Sequence, residues 1–253
     1  MKRSDVFSGV LMALILGLWE SACRVWDIPV FILPPPSRIL MTAVNKAFLL
    51  APHALVTGLE ILLGIALALS LAVPLAVVMF SRPWLEKALS PFLVASQAVP
   101  VFAVAPLLVV WLGYGIASKV LMAGVIIFFP ITVSLLEGFK ACDREYQILF
   151  RLMGAGFWKT MRLLYWPWAM PYFFAGLRVG VTVATIGAVI GEWVGAQKGL
   201  GYLMIQANAR LKVDLVFAAI LWLSVMGLGL WAGVGWLEKK TLYWKHLNKE
   251  ILS

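Results

Sequence analysis

The sequence is poor in the residues from which enzyme sites and soluble surfaces are built. Only 13% of its 253 residues are charged against 62% hydrophobic, a balance outside the usual range of soluble globular proteins. There are two histidines, His53 and His246, far apart and in different loops. They give no basis for a metal cluster or a Ser/His/Asp arrangement. The two cysteines, Cys23 and Cys142, fall on opposite predicted faces of a bilayer, so no disulfide joins them. The stretch Gly154 to Thr160, GAGFWKT, resembles a phosphate-binding loop but lacks the glycine directly before the lysine, and Phe157 and Trp158 would crowd a phosphate. No cofactor is therefore expected on this chain, and any ATP is expected to be hydrolysed by a partner. The net charge of +9 does not indicate nucleic acid, because the cations are scattered among apolar spans and fall mostly on one predicted side.

What the chain does have is apolar runs long enough to cross a bilayer, at about 20 residues each. Six are predicted: about Val6 to Cys23, Ala54 to Phe80, Leu89 to Leu112, Lys119 to Leu136, Tyr172 to Val194 and Leu215 to Leu237. They leave short loops and no room for a soluble domain, so residues 1–253 form one transmembrane unit. Lys2 and Arg3 ahead of the first run imitate a signal peptide, but no small-x-small cleavage site follows, and the run is kept as a helix. Ser37 to Leu50 is expected to lie along the membrane surface. Pro91, Pro100 and Pro106 predict that the third span is kinked or broken and therefore internal. With the N-terminus in the cytoplasm, thirteen of the 21 Lys and Arg fall on the cytoplasmic side. The others, apart from Arg178 within a span, are Arg24, Arg38, Lys46, Lys119, Lys198, Arg210 and Lys212. That bias sets the orientation.

One loop, about 138–170, is too long and too basic to be a mere connection. From Tyr146 to Met153, Ile148, Leu149, Leu152 and Met153 recur at helical spacing, with Arg144 and Arg151 at the edge of the stripe. The pattern predicts a short amphipathic helix ended by Gly154 and Gly156. Pro167 and Pro171 are then expected to break the chain before the next span. The segment reads as a docking element for a soluble partner.

The fifth span carries two stripes. Gly176, Gly180, Gly187, Gly191 and Gly195 form a small-residue face that lets another helix approach closely. Arg178, Thr185 and Glu192, spaced by sevens, form a polar stripe away from it. Two readings of that stripe stand. It lines a pathway, or Arg178 snorkels to the inner end while Glu192 caps a neighbouring helix or bonds backbone. Gln97 beside Pro100 either faces the pathway or bonds a freed carbonyl. Glu60 is expected to reach the outer interface. Gln206, Asn208 and Arg210 either touch a substrate or delivering protein or belong to a solvated loop helix. An ion-coupled secondary transporter suits broken helices too, but needs a coupling group near the midplane, and Arg178 and Glu192 lie toward the ends of their span. A scaffold is supported by the glycine face alone.

The loop resembles that of the permease subunits of binding-protein-dependent ATP-binding-cassette importers, whose pattern is E-A-A, three residues, G, then a proline near the next span. Gly154 and Pro167 fit the spacing, and Asp143, Glu145 and Ala155 resemble the flanks. The E-A-A positions are Ile148, Leu149 and Phe150 here. FILPPPSRIL and IGAVIGEWVGAQKGLGYL look like the branch of sulfonate, taurine, nitrate and thiamine-precursor permeases. VPVFAVAPLLVVWLGYGIASKV and YLMIQANARLKVDLVFAAI are most similar to permeases for hydroxymethylpyrimidine-type thiamine precursors. The resemblance implies an all-α membrane protein of about six transmembrane helices, of the type I importer permease kind, in a bacterial inner membrane. It implies a homodimer, two cytoplasmic ATP-binding subunits and a solute-binding protein outside. Coupling to the ATPase would fall to Glu145, Ile148, Leu149, Leu152, Gly154, Ala155 and Pro167. Pathway candidates are Gln97, Pro100, Arg178, Thr185 and Glu192.

Overall fold

The computed structural model describes residues 3–242, all-helical with no strand among them. Lys2, the side chain of Arg3 and the tail carrying Trp244, Lys245, His246 and Lys249 lie outside the described residues. The helices are α1 (Arg3–Val25), α2 (Pro36–Asn45), α3 (Ala47–Ser81), α4 (Pro83–Ala98), α5 (Val101–Leu112), α6 (Ile116–Lys140), α7 (Arg144–Leu152), α8 (Phe157–Thr160), α9 (Trp166–Gly195), α10 (Leu200–Ala209) and α11 (Val213–Thr241), with a π-helical turn at Met161–Tyr165. Among the described residues four helical stretches are long and apolar enough to span: α3, α6, Phe157–Gly195 and α11. The α4–α5 pair, bent by 101°, makes a fifth. At 23 residues, α1 is about 34 Å long.

α6 is the central helix, packed between α3 and α9. Its contact with α3 is made at backbone distance: a Cβ on Gly64 would stand 2.7 Å from Ala123 Cβ. The predicted glycine face of α9 is the other seam. A Cβ on Gly176 would meet the Pro130 carbonyl at 2.7 Å, one on Gly180 the Ile127 side chain at 2.9 Å, one on Gly187 Ala123 Cα at 3.0 Å and one on Gly191 Lys119 Cα at 3.2 Å. With little hydrophobic drive between helices inside lipid, such close packing is what holds them together. Ala123, Ile127 and Ile131 are fully buried between the two neighbours.

Several boundaries differ from the sequence reading. α3 begins at Ala47, so only α2 remains of the expected surface stretch 37–50. Of the three prolines in the third span only Pro100 breaks the helix, while Pro91 and Pro106 lie inside α4 and α5. Within the chain the two halves of that span differ: α4 buries none of its residues, while Ala105, Leu108 and Val109 of α5 are buried. Nor do Pro167 and Pro171 break the chain, because Phe157–Gly195 runs on as one helical stretch of 39 residues. The π-helical turn Met161–Tyr165 widens the helix just before Pro167, whose ring faces the carbonyl four residues back within that turn, while Pro171 lies inside α9.

Candidate functional site

The loop between α6 and α9 folds as the amphipathic pattern requires. Asp143 caps α7, its carboxylate accepting the Glu145 N–H at 3.2 Å. The helix ends at Gly154, whose φ of 68° is left-handed and favours glycine. The Gly154 and Ala155 N–H groups bond back to Arg151 O and Phe150 O, each at 3.0 Å. Two contacts fasten the element to the bundle. Gln147 Nε2 donates to Cys142 O at 2.8 Å, and Trp168 Nε1 donates to Ala141 O at 3.0 Å while its ring lies 5.7 Å from that of Tyr146. Burial, then the Asp143 carboxylate, push the Cys142 thiol up from its ordinary value, so it stays protonated and inert.

α7 buries none of its nine residues. Ile148 and Leu149 are half exposed, Leu152 is 80% exposed, and Met153 and Trp158 stand equally bare. Glu145 is exposed in the first turn, Gly154 and Ala155 make the turn, and Pro167 sits in the first turn of α9. The structure thus groups six of the seven coupling candidates on one projecting element and puts Pro167 at the start of the helix that carries it. Gln147 and Trp168, which fix its attitude, were not among the candidates. Their partners are backbone carbonyls, which leave no pattern in a sequence.

The polar stripe of α9 has a different fate at each position. Glu192 is 1% exposed. Its Oε1 accepts from Thr57 Oγ1 at 2.6 Å, and its Oε2 accepts the N–H groups of Gly201 and Tyr202 at 2.6 and 3.2 Å, capping α10. Thr57 Oγ1 accepts the Leu200 N–H at 2.9 Å, and His53 Nδ1 accepts the Gly199 N–H at 3.0 Å. A side chain on Gly199, at φ 125°, would run into the Glu192 carboxylate. Next to this cap, Lys119 Nζ donates to the carbonyls of Tyr114, Gly115 and Gly195 at 2.7–2.9 Å. Lys119 is 3% exposed, not the outer-surface cation of the charge count. Glu60 does not reach the interface either: it is 2% exposed, close to Glu192, with its Oε2 unpartnered among the described residues. The early start of α3 at Ala47 sets Glu60 about 20 Å along the helix.

Arg178 pairs with Glu238 of α11 at 2.6 Å, and its guanidinium lies 5.1 Å from the Trp231 ring. Thr185 bonds its own helix at Thr182 O and touches a small pocket of about 230 Å³ beside Phe102 and Trp193. Gln97 lines a larger cavity of about 600 Å³ between α3, α4, α5 and α6, with Ser96 as its polar companion among aliphatic and Phe side chains. Pro100 caps α5 at the break. The five pathway candidates therefore do not share one cavity: Gln97 faces the main one, and Arg178 and Glu192 are engaged in helix contacts. Thr57 and His53 escaped sequence reasoning because their partners are remote in the chain, and Lys119 because two of its three partners are backbone carbonyls of the turn before it. The Gly-Leu-Gly step after Glu192 was the available signal.

Known proteins bear on these two ends. Residues 60–243 match a family described as binding-protein-dependent transport system inner membrane component. The chain is similar to a probable ABC transporter permease protein of Haemophilus influenzae, 40% identical over 92% of this chain and 96% of the relative. It is similar to the formylaminopyrimidine transport permease protein ThiX of Halalkalibacterium halodurans, 38% identical over 92% and 93%. It is also similar to the riboflavin transport system permease protein RibX of Chloroflexus aurantiacus, 37% identical over 93% and 89%.

Proposed function

The chain belongs to the family of binding-protein-dependent transport system inner membrane components, and from that premise we propose how it couples and what it carries. It is the membrane-spanning permease subunit of an ATP-binding-cassette importer, a transport subunit and not an enzyme, working with ATP-binding subunits and a substrate-binding protein. Within that role, two copies of the chain form the membrane core. The loop end faces the cytoplasm, and ATP is hydrolysed entirely by the partner subunits.

The observation that carries this reading is α7: an amphipathic helix, capped and bonded to the bundle on one side, with Ile148, Leu149 and Leu152 bare on the other. An apolar face at an aqueous membrane edge fits a groove on a soluble partner. Closure of the ATP-binding subunits would drag α7 and, through the Gly154 turn, the helix Phe157–Gly195, which reaches the opposite face. Moving such an equilibrium from 1:99 to 99:1 takes about 5.5 kcal/mol of differential binding, so the lever has to be stiff. The Asp143 cap and the Gln147 and Trp168 bonds supply that stiffness.

The substrate we propose is a neutral nitrogen heteroaromatic of the thiamine-precursor pyrimidine kind. The similarity to a formylaminopyrimidine permease supports it. So does the main cavity, which has Ser96 and Gln97 for hydrogen bonds, Phe92, Phe128 and Phe129 for a ring, and no charged group in its lining. A sulfonate or nitrate would find no counter-charge there. The test is to purify the tagged chain from membranes with its ATP-binding subunit, reconstitute it, and add candidate binding proteins loaded with pyrimidine, sulfonate or nitrate. Stimulation by the pyrimidine-loaded protein is expected. Stimulation only by a sulfonate- or nitrate-loaded one overturns the substrate, and purification of the chain alone with ion-driven uptake overturns the coupling.

A further inference from the structure

Where α9 hands over to α10, the importer mechanism leaves one buried group without a role. Glu60 lies one turn beyond Thr57 on α3 and is 2% exposed, its Oε2 without a partner among the described residues. Its carboxyl group is in hydrogen-bond contact with that of Glu192, which already accepts from Thr57 Oγ1 and from the N–H groups of Gly201 and Tyr202. The nearby ammonium does not serve Glu60. Lys119 has three protons to donate, and its Nζ spends them on the carbonyls of Tyr114, Gly115 and Gly195 at 2.7–2.9 Å. An ionised Glu60 would thus stand against another carboxylate, out of water and with no donor of its own, a placement that both burial and like charge oppose. Two carboxylates against one ammonium leave an unbalanced negative charge inside the bundle, and a single proton removes it.

We propose that Glu60 and Glu192 form a binding site for one proton, carried on Glu60 and donated to Glu192, and that this proton latches α10 to the bundle. The inference goes beyond the importer reading and does not depend on it. Glu192 is the acceptor because its three donors favour its charged form, and the Glu60 O–H fills the remaining place on a carboxylate that offers about four. The first turn of α10 hangs on the same groups: Gly201 and Tyr202 on Glu192, Leu200 on Thr57 and Gly199 on His53. With the proton in place, α3 holds the Glu192 anion under the α10 N-terminus. Without it, the two carboxylates repel and the α9–α10 turn is loosened. The other titratable groups on the packed elements are engaged elsewhere or exposed. His53 of α3 uses Nδ1 as an acceptor, Tyr202 of α10 stacks on its ring at 6.3 Å, Lys198 is exposed in the connection before α10, and Asp214 of α11 is held by Thr42 and Arg38 of α2. A small metal cation, which takes about six oxygen ligands, would find too few here, since the Glu192 oxygens already face N–H and O–H donors.

The experiment uses the full chain purified in detergent, comparing the wild type with Glu60→Gln and Glu60→Ala by infrared spectroscopy and thermal unfolding. Glutamine keeps an N–H donor toward Glu192 but has no proton to lose. At neutral pH the wild type should show a carboxylic-acid C=O band that shifts in deuterated buffer and is absent from Glu60→Gln. Glu60→Gln should keep the wild-type thermal midpoint, and Glu60→Ala should fall well below both. The folded wild type keeps a proton that the unfolded chain releases above about pH 4.3. Its stability therefore falls as pH rises, by about tenfold in the folding constant per pH unit while the pair holds its proton. Glu60→Gln lacks that component, so the difference between the two slopes from about pH 6 to pH 8 isolates it from His53, which both carry. A band absent from the wild type or persisting in Glu60→Gln, or equal slopes, overturns the shared proton. A Glu60→Gln midpoint as low as that of Glu60→Ala overturns it too, since Glu60 would then act as an anion. Sodium raising the wild-type midpoint at constant ionic strength, but not that of Glu60→Gln, overturns it in favour of a cation site. Each result is read without any ATP-binding subunit, so failure here leaves the importer reading standing.

Discussion

The two ends of the long helix Phe157–Gly195 are finished in opposite ways. At the loop end, the preceding helix α7 buries none of its nine residues and leaves Leu152 and Met153 bare. At the far end, Glu192 is 1% exposed and accepts from Thr57, Gly201 and Tyr202, while Lys119 beside it donates to three carbonyls. The far end is closed within the chain, since a carboxylate and an ammonium can be buried only where hydrogen bonds replace water. On the proposed coupling role, the loop end is completed by another protein against it. A substitution should therefore damage the fold at one end and the assembly at the other.

The largest effect is expected from Glu192→Ala, which strands the N–H groups of Gly201 and Tyr202 inside the bundle and leaves the Thr57 hydroxyl only the His53 carbonyl. A loss of about 3 kcal/mol or more is expected, seen as a strongly lowered thermal midpoint in detergent. A wild-type midpoint would mean that the cap is dispensable and the contrast between the ends false. Next is Gly191→Val, which pushes into the α6 backbone at Lys119. Overpacking of this kind costs about 1–3 kcal/mol, again read from thermal unfolding, while the ATP-binding subunit still co-purifies with whatever folds.

At the loop end, Gly154→Val meets open space around its Cβ, so its penalty is the left-handed backbone alone, about 1–2 kcal/mol. The fold should survive and ATP hydrolysis should continue, with uptake per ATP falling steeply; normal uptake at normal expression would remove the turn from the coupling path. The smallest stability change belongs to Arg178→Ala. Its pair with Glu238 is partly solvated, with side chains 31% and 23% exposed, and is worth about 1 kcal/mol. A shift in the KM of uptake without any loss of stability would instead return Arg178 to the pathway.

How much of this was legible follows the same division. The periodicity from Tyr146 to Met153 gave α7 nearly to the residue, Gly154 marked its end, and the glycines of α9 named their own seam, because each signal is local. Glu60 and Lys119 were misplaced because a hydropathy boundary is soft. α3 began earlier than its apolar run and carried Glu60 inward, and Lys119, which looked like a loop cation, folds back onto the carbonyls of its own turn. Pro167 misled because the π-helical turn before it has no sequence signature, and Pro171 because a long apolar helix carries an internal proline without breaking. The docking candidates needed only one helix to be right. The Glu192 cap needed α3, α9 and α10 together, joined by contacts more than a hundred residues apart, and no single-sequence pattern carries that.

The central claim is that α7 serves a partner and not the fold. Its most direct test is to purify the tagged chain carrying Leu149→Asp and Leu152→Asp alongside the wild type, measuring thermal midpoint and recovered ATP-binding subunit on the same samples. The expected result is an unchanged midpoint with the subunit lost. Retention of the subunit, or collapse of the midpoint, would contradict it.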